Sequence, residues 1–244
     1  MKAGLIDFFF PRGAGCLVCG DPRRADTLYC LCPDCRRELL SLRLRENVCI
    51  RCMHPLDGAG LCPFCREQRL GPMTAGYGAY RYTGAARQLV RALKFHFQDE
   101  AADALAAGMS QCVPLNRYDV LTPVPLHSAR QRVRGINQAR LLCDLVGRRL
   151  GLPTLDALIR TRRTNEQARI REPGARQRNV RGAFACRGEV KGLRVLLVDD
   201  VRTTGATARA CAEALLRGGA AEVAVLTATI ATAKHMRKEG KAWR

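Results

Sequence analysis

The stretch that decides the fold is VLLVDDVRTTGAT, residues 195–207. Four apolar residues lead into two adjacent carboxylates, Asp199 and Asp200, and a Thr-Thr-Gly-Ala-Thr turn follows two residues later. An uninterrupted apolar run is typical of a strand that is buried on both faces of a parallel sheet. The next residues, ATARACAEALLRGGA, have helical spacing and end at a Gly-Gly pair. The stretch therefore predicts a buried strand, a tight turn and a helix.

The turn and the two carboxylates together are typical of a site for a sugar phosphate. Consecutive backbone N–H groups at residues 203–207 would lie at the positive end of a helix dipole, where phosphate binds. The three threonines of this turn add hydroxyl donors, and Gly205 allows close backbone approach. Asp199 and Asp200 would repel phosphate, so we expect them to bind ribose hydroxyls, directly or through Mg²⁺. The alternative is an acidic strand end before an ordinary capped helix.

The rest of the second part alternates between strand and helix patterns. The spacing of apolar residues predicts strands at residues 77–82, 118–126, 193–199 and 222–230, with short strands at 157–163 and 184–186. Helical spacing is found at residues 85–97, 100–109, 137–151 and 206–220. Strands that alternate with helices indicate an α/β fold with a parallel sheet.

Nine of the 13 cysteines lie before residue 66, and eight of these form four Cys-x-x-Cys pairs. A gap of two residues lets both thiolates of a turn bind one zinc ion at about 2.3 Å. A disulfide scaffold would need an oxidising compartment, and no export signal is visible. Pairing in chain order predicts two zinc sites, with Cys30 left over as a substitute for Cys32. The predicted ligands are Cys16, Cys19, Cys32 and Cys35, and then Cys49, Cys52, Cys62 and Cys65.

The cysteines divide the chain into a small zinc-ribbon domain, residues 1–70, and a larger domain, residues 71–244. The segments between the pairs are too short to bury a core, so zinc would supply most of their folding free energy, on the order of 10 kcal/mol per site. The remaining cysteines lie far apart among apolar residues, and we expect them to be small buried hydrophobes. They are Cys112, Cys143, Cys186 and Cys211.

The formal net charge of +19 belongs mainly to the second part, because residues 1–70 carry +3 and residues 71–244 carry +16. Such an excess suggests polyanionic partners, either phosphate compounds or nucleic acid. However, 35 of the 41 cations are arginines in an alanine-rich chain, which a GC-rich genome would also produce. Apolar runs are too short for a membrane span or a signal peptide. We therefore expect a soluble cytoplasmic protein without membrane insertion.

Several motifs, taken in their order along the chain, resemble the ComF family. They are FFFPRGAGCLVCG with the Cys-x-x-Cys series, LVRALKF, VPLHSARQRVRGINQA, RTRRTNEQA, ARQRNVRGAF and VLLVDDVRTTGAT. The resemblance covers almost the whole chain. It implies a type I phosphoribosyltransferase fold, with helices on both faces of a parallel sheet, preceded by a double zinc ribbon. It also implies that the ligand is phosphoribosyl pyrophosphate (PRPP), bound with Mg²⁺.

The resemblance assigns roles to individual residues. The loop after residues 123–125 would lie near the pyrophosphate, and residues 161–182 resemble the mobile loop that covers PRPP in these enzymes. For Arg134 and Lys94 a solvated surface position remains an alternative. The residues implied for PRPP binding are Asp199, Asp200, Thr203, Thr204, Gly205, Ala206, Thr207, Arg134, Lys94 and Gln167. Those implied for catalysis are Asp199, Asp200 and Arg176.

The sequence departs from the family pattern at three places. The spacing from Gln167 to Asn179 in the mobile loop is one residue longer than the pattern implies. Residues 171–179, REPGARQRN, replace the usual Leu-Ser stretch of the mobile loop. Arg202 stands where a small or apolar residue is commoner. Two interpretations of Arg202 are open, since it would either add a cation near the phosphates or point to solvent.

Three functions of different classes fit these patterns. The first is transfer of ribose 5-phosphate from PRPP to an unknown acceptor. The second is single-stranded DNA binding, for which residues 127–149 offer six arginines against one aspartate and residues 160–181 eight against two glutamates. The third is a PRPP-responsive regulator without catalysis. We favour a PRPP-binding protein of DNA uptake or processing, whose zinc ribbons would dock competence or DNA-processing proteins.

Purified, reduced protein should contain two zinc ions per chain, because each pair of Cys-x-x-Cys motifs completes one tetrahedron. Cys52→Ser should lower the zinc content toward one, as measured by elemental analysis. Cys112→Ser is the control, since Cys112 belongs to no pair. A folded protein with almost no zinc would contradict the assignment.

Overall fold

The computed structural model describes residues 15–22, 28–67, 70–95, 99–126, 136–161, 180 and 182–231, with the backbone alone at 94–95. In chain order the strands are β1 (Gly76–Arg81), β2 (Val120–Pro123), β3 (Leu158–Arg160), β4 (Phe184–Cys186), β5 (Arg194–Arg202) and β6 (Glu222–Ile230). The helices are α1 (Pro33–Ser41), α2 (Pro63–Arg66), α3 (Gly84–Phe95), α4 (Asp99–Ser110), α5 (Gln138–Leu150) and α6 (Ala206–Arg217).

Strand β5 lies inside a four-stranded sheet whose order is β1-β6-β5-β2. Each neighbouring pair is parallel, and β5 pairs with β2 on one side and β6 on the other. Residues 195–198 have no exposed surface. The apolar run is thus continuous because both faces of this strand are covered. The predicted parallel α/β sheet is confirmed.

Alternate side chains of β5 enter two different halves of the core. Leu196 and Val198 pack with residues of α3, α4 and α5 on one face. Val195 and Leu197 pack with residues of α6 on the other face. Successive side chains of a strand point to opposite faces, so one strand organises both halves. Helices therefore cover both faces of the sheet, as the family resemblance implies.

The two short strands predicted near residues 157–163 and 184–186 pair with each other rather than with the central sheet. Strands β3 and β4 form an antiparallel pair in which Arg160 lies opposite Phe184. The predicted strand at 118–126 is also shorter than expected. It ends at Pro123, since Pro123 and Pro125 have no N–H group to donate to a ladder.

Backbone pairing joins the cysteine-rich segment to the edge of the sheet. The Leu44 N–H donates to the Ala79 carbonyl at 3.0 Å, and the Arg81 N–H donates to the Leu42 carbonyl at 2.9 Å. Strand β1 is the last strand on its side of the sheet. The pairing covers an edge whose backbone groups would otherwise face solvent. The domain division at residue 70 stays a prediction.

Helix α4 approaches β1 closely at Gly108, where a Cβ would overlap the buried Tyr80 hydroxyl. We expect Gly108→Val to lower the free energy of unfolding by about 1–3 kcal/mol, because overpacking displaces a rigid ring. Denaturant unfolding measures the change. Gly58→Val is the control, because a Cβ at Gly58 meets no atom within 4 Å. Equal stability of the two variants would contradict this packing.

Candidate functional site

The turn at residues 203–207, called the phosphate turn below, connects β5 to α6 at the carboxyl edge of the sheet. Helix α6 begins at Ala206, and Gly205 precedes it with φ 72° and ψ 9°. This left-handed conformation favours glycine over other residues. Residues 203–205 and Thr207 are half-buried, Ala206 is buried, and the turn borders a cleft. In open α/β sheets, ligands bind beyond this edge of the strands.

The two carboxylates are held by their own backbone. An Asp199 oxygen accepts the Asp200 N–H at 2.9 Å, and an Asp200 oxygen accepts the Val201 N–H at 2.7 Å. The hydroxyl of Thr229 in β6 donates to the Asp200 carbonyl at 3.3 Å. Both aspartates are half-buried. The carboxylates thus have restricted positions at the strand end, which suits groups that bind a ligand.

The cleft is lined by five of the ten residues that the sequence predicts for PRPP binding, and Asp200 and Thr204, which are next to them in the chain, are not among its lining residues. Asp199 and the phosphate turn lie together, with the Ala206 N–H donating to the Thr204 hydroxyl at 3.4 Å. This bond helps to start α6, whose N-terminus carries a partial positive charge. The residues that line the cleft are Asp199, Val201, Arg202, Thr203, Gly205, Ala206, Thr207, Ala208 and Thr227.

The loop after β2 starts beside this site. Pro123 pairs with Val198 in the sheet, and the Val124 N–H donates to the Val198 carbonyl at 2.9 Å. The Asn137 side chain donates to the Val124 carbonyl at 3.1 Å and caps α5 by accepting the Ala139 N–H. The Asn-Gln pair of the family pattern thus has a structural part, because Asn137 fixes the start of this loop.

Helix α3 is tied to the same region through Gln138, which is buried. Its side chain donates to the Leu93 carbonyl at 3.4 Å. The backbone of Lys94 follows directly, but its side chain lies outside the described residues. Arg134, Gln167 and Arg176 also lie outside them. Their predicted roles in PRPP binding and catalysis remain predictions.

The described cysteines form two clusters with the predicted pairing, and in each cluster the four sulfurs lie within 4.8 Å of one another. The first cluster is Cys16, Cys19, Cys32 and Cys35, and the second cluster is Cys49, Cys52, Cys62 and Cys65. The Cys19–Cys32 sulfur distance is 3.9 Å and the Cys52–Cys62 distance is 3.6 Å. A tetrahedron with bonds of about 2.3 Å has edges of about 3.8 Å. The geometry therefore fits two tetrathiolate zinc sites.

The local backbone favours ionised sulfur in both clusters. Burial raises the pKa of Cys16 and Cys49, but backbone N–H groups that donate to these sulfurs outweigh it and lower each pKa to about 7. Burial raises the pKa of Cys35 and Cys65. Each cluster thus has one cysteine that ionises near neutral pH, and the thiolate is the form that binds zinc.

The leftover cysteines are placed outside the two clusters. Cys30 lies in a 3₁₀ turn with φ 52°, and its carbonyl accepts the Leu17 N–H. Cys143 and Cys211 have no exposed surface, as expected for small hydrophobes. For Cys112 and Cys186 the expectation of full burial is wrong, because both are half-buried. Cys112 instead donates to the Gly108 carbonyl at 3.3 Å.

Of the two interpretations of Arg202, the solvent-facing one is wrong, and a cation near the phosphates stays a prediction. The side chain does not point to solvent, since Arg202 is 6% exposed and its guanidinium donates to the Cys52 carbonyl, and the residue also lines the cleft beside the phosphate turn. Gly76 leaves room for the guanidinium, because a Cβ there would overlap Nη1. No spacing rule predicts a contact between residues 52 and 202, and the unusual residue type at position 202 was the only signal.

A second cavity lies between the second cluster and the phosphate turn. Its walls include His54, Phe64, Arg202 and Thr203. The His54 and Phe64 rings are 6.0 Å apart. Burial lowers the pKa of His54, and the Arg202 charge lowers it further.

Among the described residues no helix is both long and apolar enough to cross a membrane.

Known protein families match both the cysteine-rich part and the α/β part of the chain. The double zinc ribbon domain family matches residues 5–66, and the phosphoribosyl transferase domain family matches residues 141–244. The chain is 35% identical over 219 residues to a DNA utilization protein of Salmonella typhi, covering 86% of this chain and 94% of that protein.

Two competence proteins are similar as well. Competence protein ComFC of Bacillus subtilis is 27% identical over 231 residues, which cover 87% of this chain and 93% of that protein. Competence protein F of Haemophilus influenzae is 37% identical over 111 residues, which cover 44% of this chain and 48% of that protein. Because both domain families match this chain and it is 35% identical to a relative of which it covers 94%, the chain belongs to the ComF family.

Proposed function

We propose that the chain binds PRPP with Mg²⁺ at the phosphate turn and acts in the cytoplasm in DNA uptake or utilisation. The observation that carries the proposal is the placement of two anchored carboxylates beside a helix N-terminus at the carboxyl edge of the sheet. Backbone N–H groups and threonine hydroxyls of residues 203–207 bind the 5-phosphate. Asp199 and Asp200 bind the ribose hydroxyls, and carboxylate oxygens are also the ligands that Mg²⁺ prefers.

The phosphate turn and the carboxylates bind different parts of the ligand, which explains why acidic residues lie next to a phosphate site. The phosphate and the ribose hydroxyls lie at opposite ends of a ribose 5-phosphate, so the carboxylates and the turn bind different groups. The restricted carboxylates hold the sugar in one orientation, which lowers the entropic cost of reaction at its C1 carbon. Bound Mg²⁺ supplies positive charge to the pyrophosphate. Arg176 and Gln167 are proposed to close over the ligand, and Arg134 and Lys94 to face the pyrophosphate.

The proposed reaction transfers ribose 5-phosphate to an acceptor. A nucleophilic atom of the acceptor bonds to C1, the bond from C1 to the pyrophosphate oxygen breaks, and the acceptor proton passes to solvent. The class of acceptor stays open. A PRPP-responsive regulator would bind the same ligand at the same residues without this step, and pyrophosphate release separates the two.

A second candidate function is single-stranded DNA binding, which is favoured by the excess of arginines in one segment of the chain. Residues 160–181 contain eight arginines and two glutamates. Strands β3 and β4 flank this segment, so its two ends leave the same antiparallel pair. Relatives carry names that refer to competence and DNA utilization. We propose that these arginines contact DNA phosphates, while the zinc ribbons dock a competence or DNA-processing protein.

Asp199→Asn combined with Asp200→Asn should lower PRPP affinity in the presence of Mg²⁺ at least tenfold, because two charge-assisted contacts are lost. Isothermal titration calorimetry measures the affinity. The matched control is Asp103→Asn with Asp156→Asn, which removes the same charge from exposed ion pairs with Arg149 and Arg140. Equal affinity of the site variant and the control would refute the ribose assignment.

Salt dependence tests the DNA proposal. Affinity for single-stranded DNA should fall with salt at a log–log slope of about −0.7 per neutralised phosphate. Replacing four arginines of the 160–181 segment by alanine should weaken binding at roughly 50–100 mM salt and flatten the slope. The four are Arg162, Arg163, Arg169 and Arg171. Arg176→Ala should weaken PRPP binding more than DNA binding.

The control for this experiment removes four exposed arginines elsewhere, namely Arg36, Arg37, Arg66 and Arg217. It changes the net charge equally, so a similar loss of slope in both variants would mean that overall charge alone attracts DNA. An unaltered slope in the test variant would remove residues 160–181 from the DNA interface.

A further inference from the structure

The side chain of Arg202 crosses from the phosphate turn to the second cluster. Its backbone carbonyl accepts the Ala231 N–H at 2.9 Å, which fixes the residue immediately before Thr203. Its guanidinium lies in the protein interior and donates to the Cys52 carbonyl. Thr203, Arg202 and Cys52 all line the second cavity. One side chain thus connects a predicted zinc ligand to the first residue of the phosphate turn.

A buried arginine needs negative charge nearby, because an uncompensated ion in the interior costs several kcal/mol. Within the described residues, the Arg202 Nη1 atom has no hydrogen-bond partner. All four sulfurs of the second cluster interact electrostatically with the guanidinium and favour its charged form. Four thiolates around one zinc ion carry a net charge of −2. The metal-loaded cluster therefore supplies the counter-charge that this position requires.

We infer that Arg202 couples the second zinc site to the phosphate turn, so that zinc at the cluster positions the turn and ligand at the turn retains the zinc. The inference rests on the proposed binding of PRPP. Coupling between two binding sites is reciprocal, so it is measurable from either side. Arg202 acts here as a positioning residue, since it touches neither the ribose nor the phosphate in the proposed arrangement.

Zinc release to a chromophoric chelator tests the contact from the metal side. In Arg202→Met one of the two zinc ions should leave about tenfold faster or more, because a charge-assisted hydrogen bond and its counter-charge are lost. Arg202→Lys keeps the charge and should release zinc at a rate nearer to that of the wild type. Cys19→Ser weakens the first cluster and so assigns the two release phases.

Arg194→Met is the matched control, because Arg194 opens the same strand and pairs with Asp119 at the far end of the sheet. Its zinc release should equal that of the wild type. Thermal unfolding distinguishes coupling from a general loss of stability. Replacing a buried ion by an apolar side chain need not destabilise the fold, so faster zinc release at an unchanged melting temperature supports a specific role. Equal release in Arg202→Met, Arg194→Met and the wild type would overturn the inference.

The reciprocal measurement adds PRPP and Mg²⁺ at saturating concentration. In the wild type, zinc release from the second cluster should slow severalfold, and in Arg202→Met this protection should be lost.

If the wild type does not bind PRPP, the proposed function fails, while the zinc-release rates measured without ligand still test the contact between Arg202 and the second cluster. If PRPP binds and protects zinc equally in both proteins, the coupling is refuted while the proposed function stands. Should Arg202→Met not fold, the same comparison uses Arg202→Gln, which removes the charge but keeps a polar side chain, and full protection by PRPP at wild-type strength in this variant would refute the coupling.

Discussion

The burial of β5 between two parallel neighbours is the constraint on which the rest of the structure depends. Its register with β2 and β6 places the ends of all three strands at one edge of the sheet. The carboxylates, the phosphate turn and the loop after β2 meet there because parallel strands end together. Alternate side chains of the same strand anchor helices on opposite faces. One strand therefore determines both the core and the place of the site.

The two cysteine clusters join this core on different faces. The first cluster packs with the half that contains α3, α4 and α5, whereas the second packs with the half that contains α6. Neither cluster lies in a segment with a large core of its own, so zinc is the natural source of local stability. Because the second cluster adjoins the residues that lead into α6, it is closer to the phosphate turn in structure than its sequence position indicates.

Two placements of charged residues differ from what the net positive charge of the chain suggests. A chain of net charge +19 places two carboxylates at its candidate site and buries one arginine beside four cysteines. Each placement is explained by the groups that would lie next to the charged residues. The carboxylates suit ribose hydroxyls, and the arginine suits the negative charge of a zinc tetrathiolate. Net charge bears on association with polyanions, while pairs of neighbouring groups decide what the site binds.

The sequence by itself determined that the Cys-x-x-Cys motifs suit zinc, the succession of strands and helices along the chain, and the strand–turn–helix that carries the candidate site, whereas the structure decided that the motifs group in chain order. The features that the sequence determined depend on residues that are close in the chain, such as those of the Cys-x-x-Cys motifs and the VLLVDD run. Ligand spacing and apolar periodicity are therefore enough to predict them. The tertiary structure alone decided that β3 and β4 pair with each other, that Asn137 holds the loop after β2, and that Arg202 reaches Cys52. Each of these contacts joins residues whose separation in the chain carries no periodic signal. These contacts form because buried polar groups throughout the packed core need hydrogen-bond partners, and the partners come from distant parts of the chain. A local sequence pattern does not show which distant residue will be the partner.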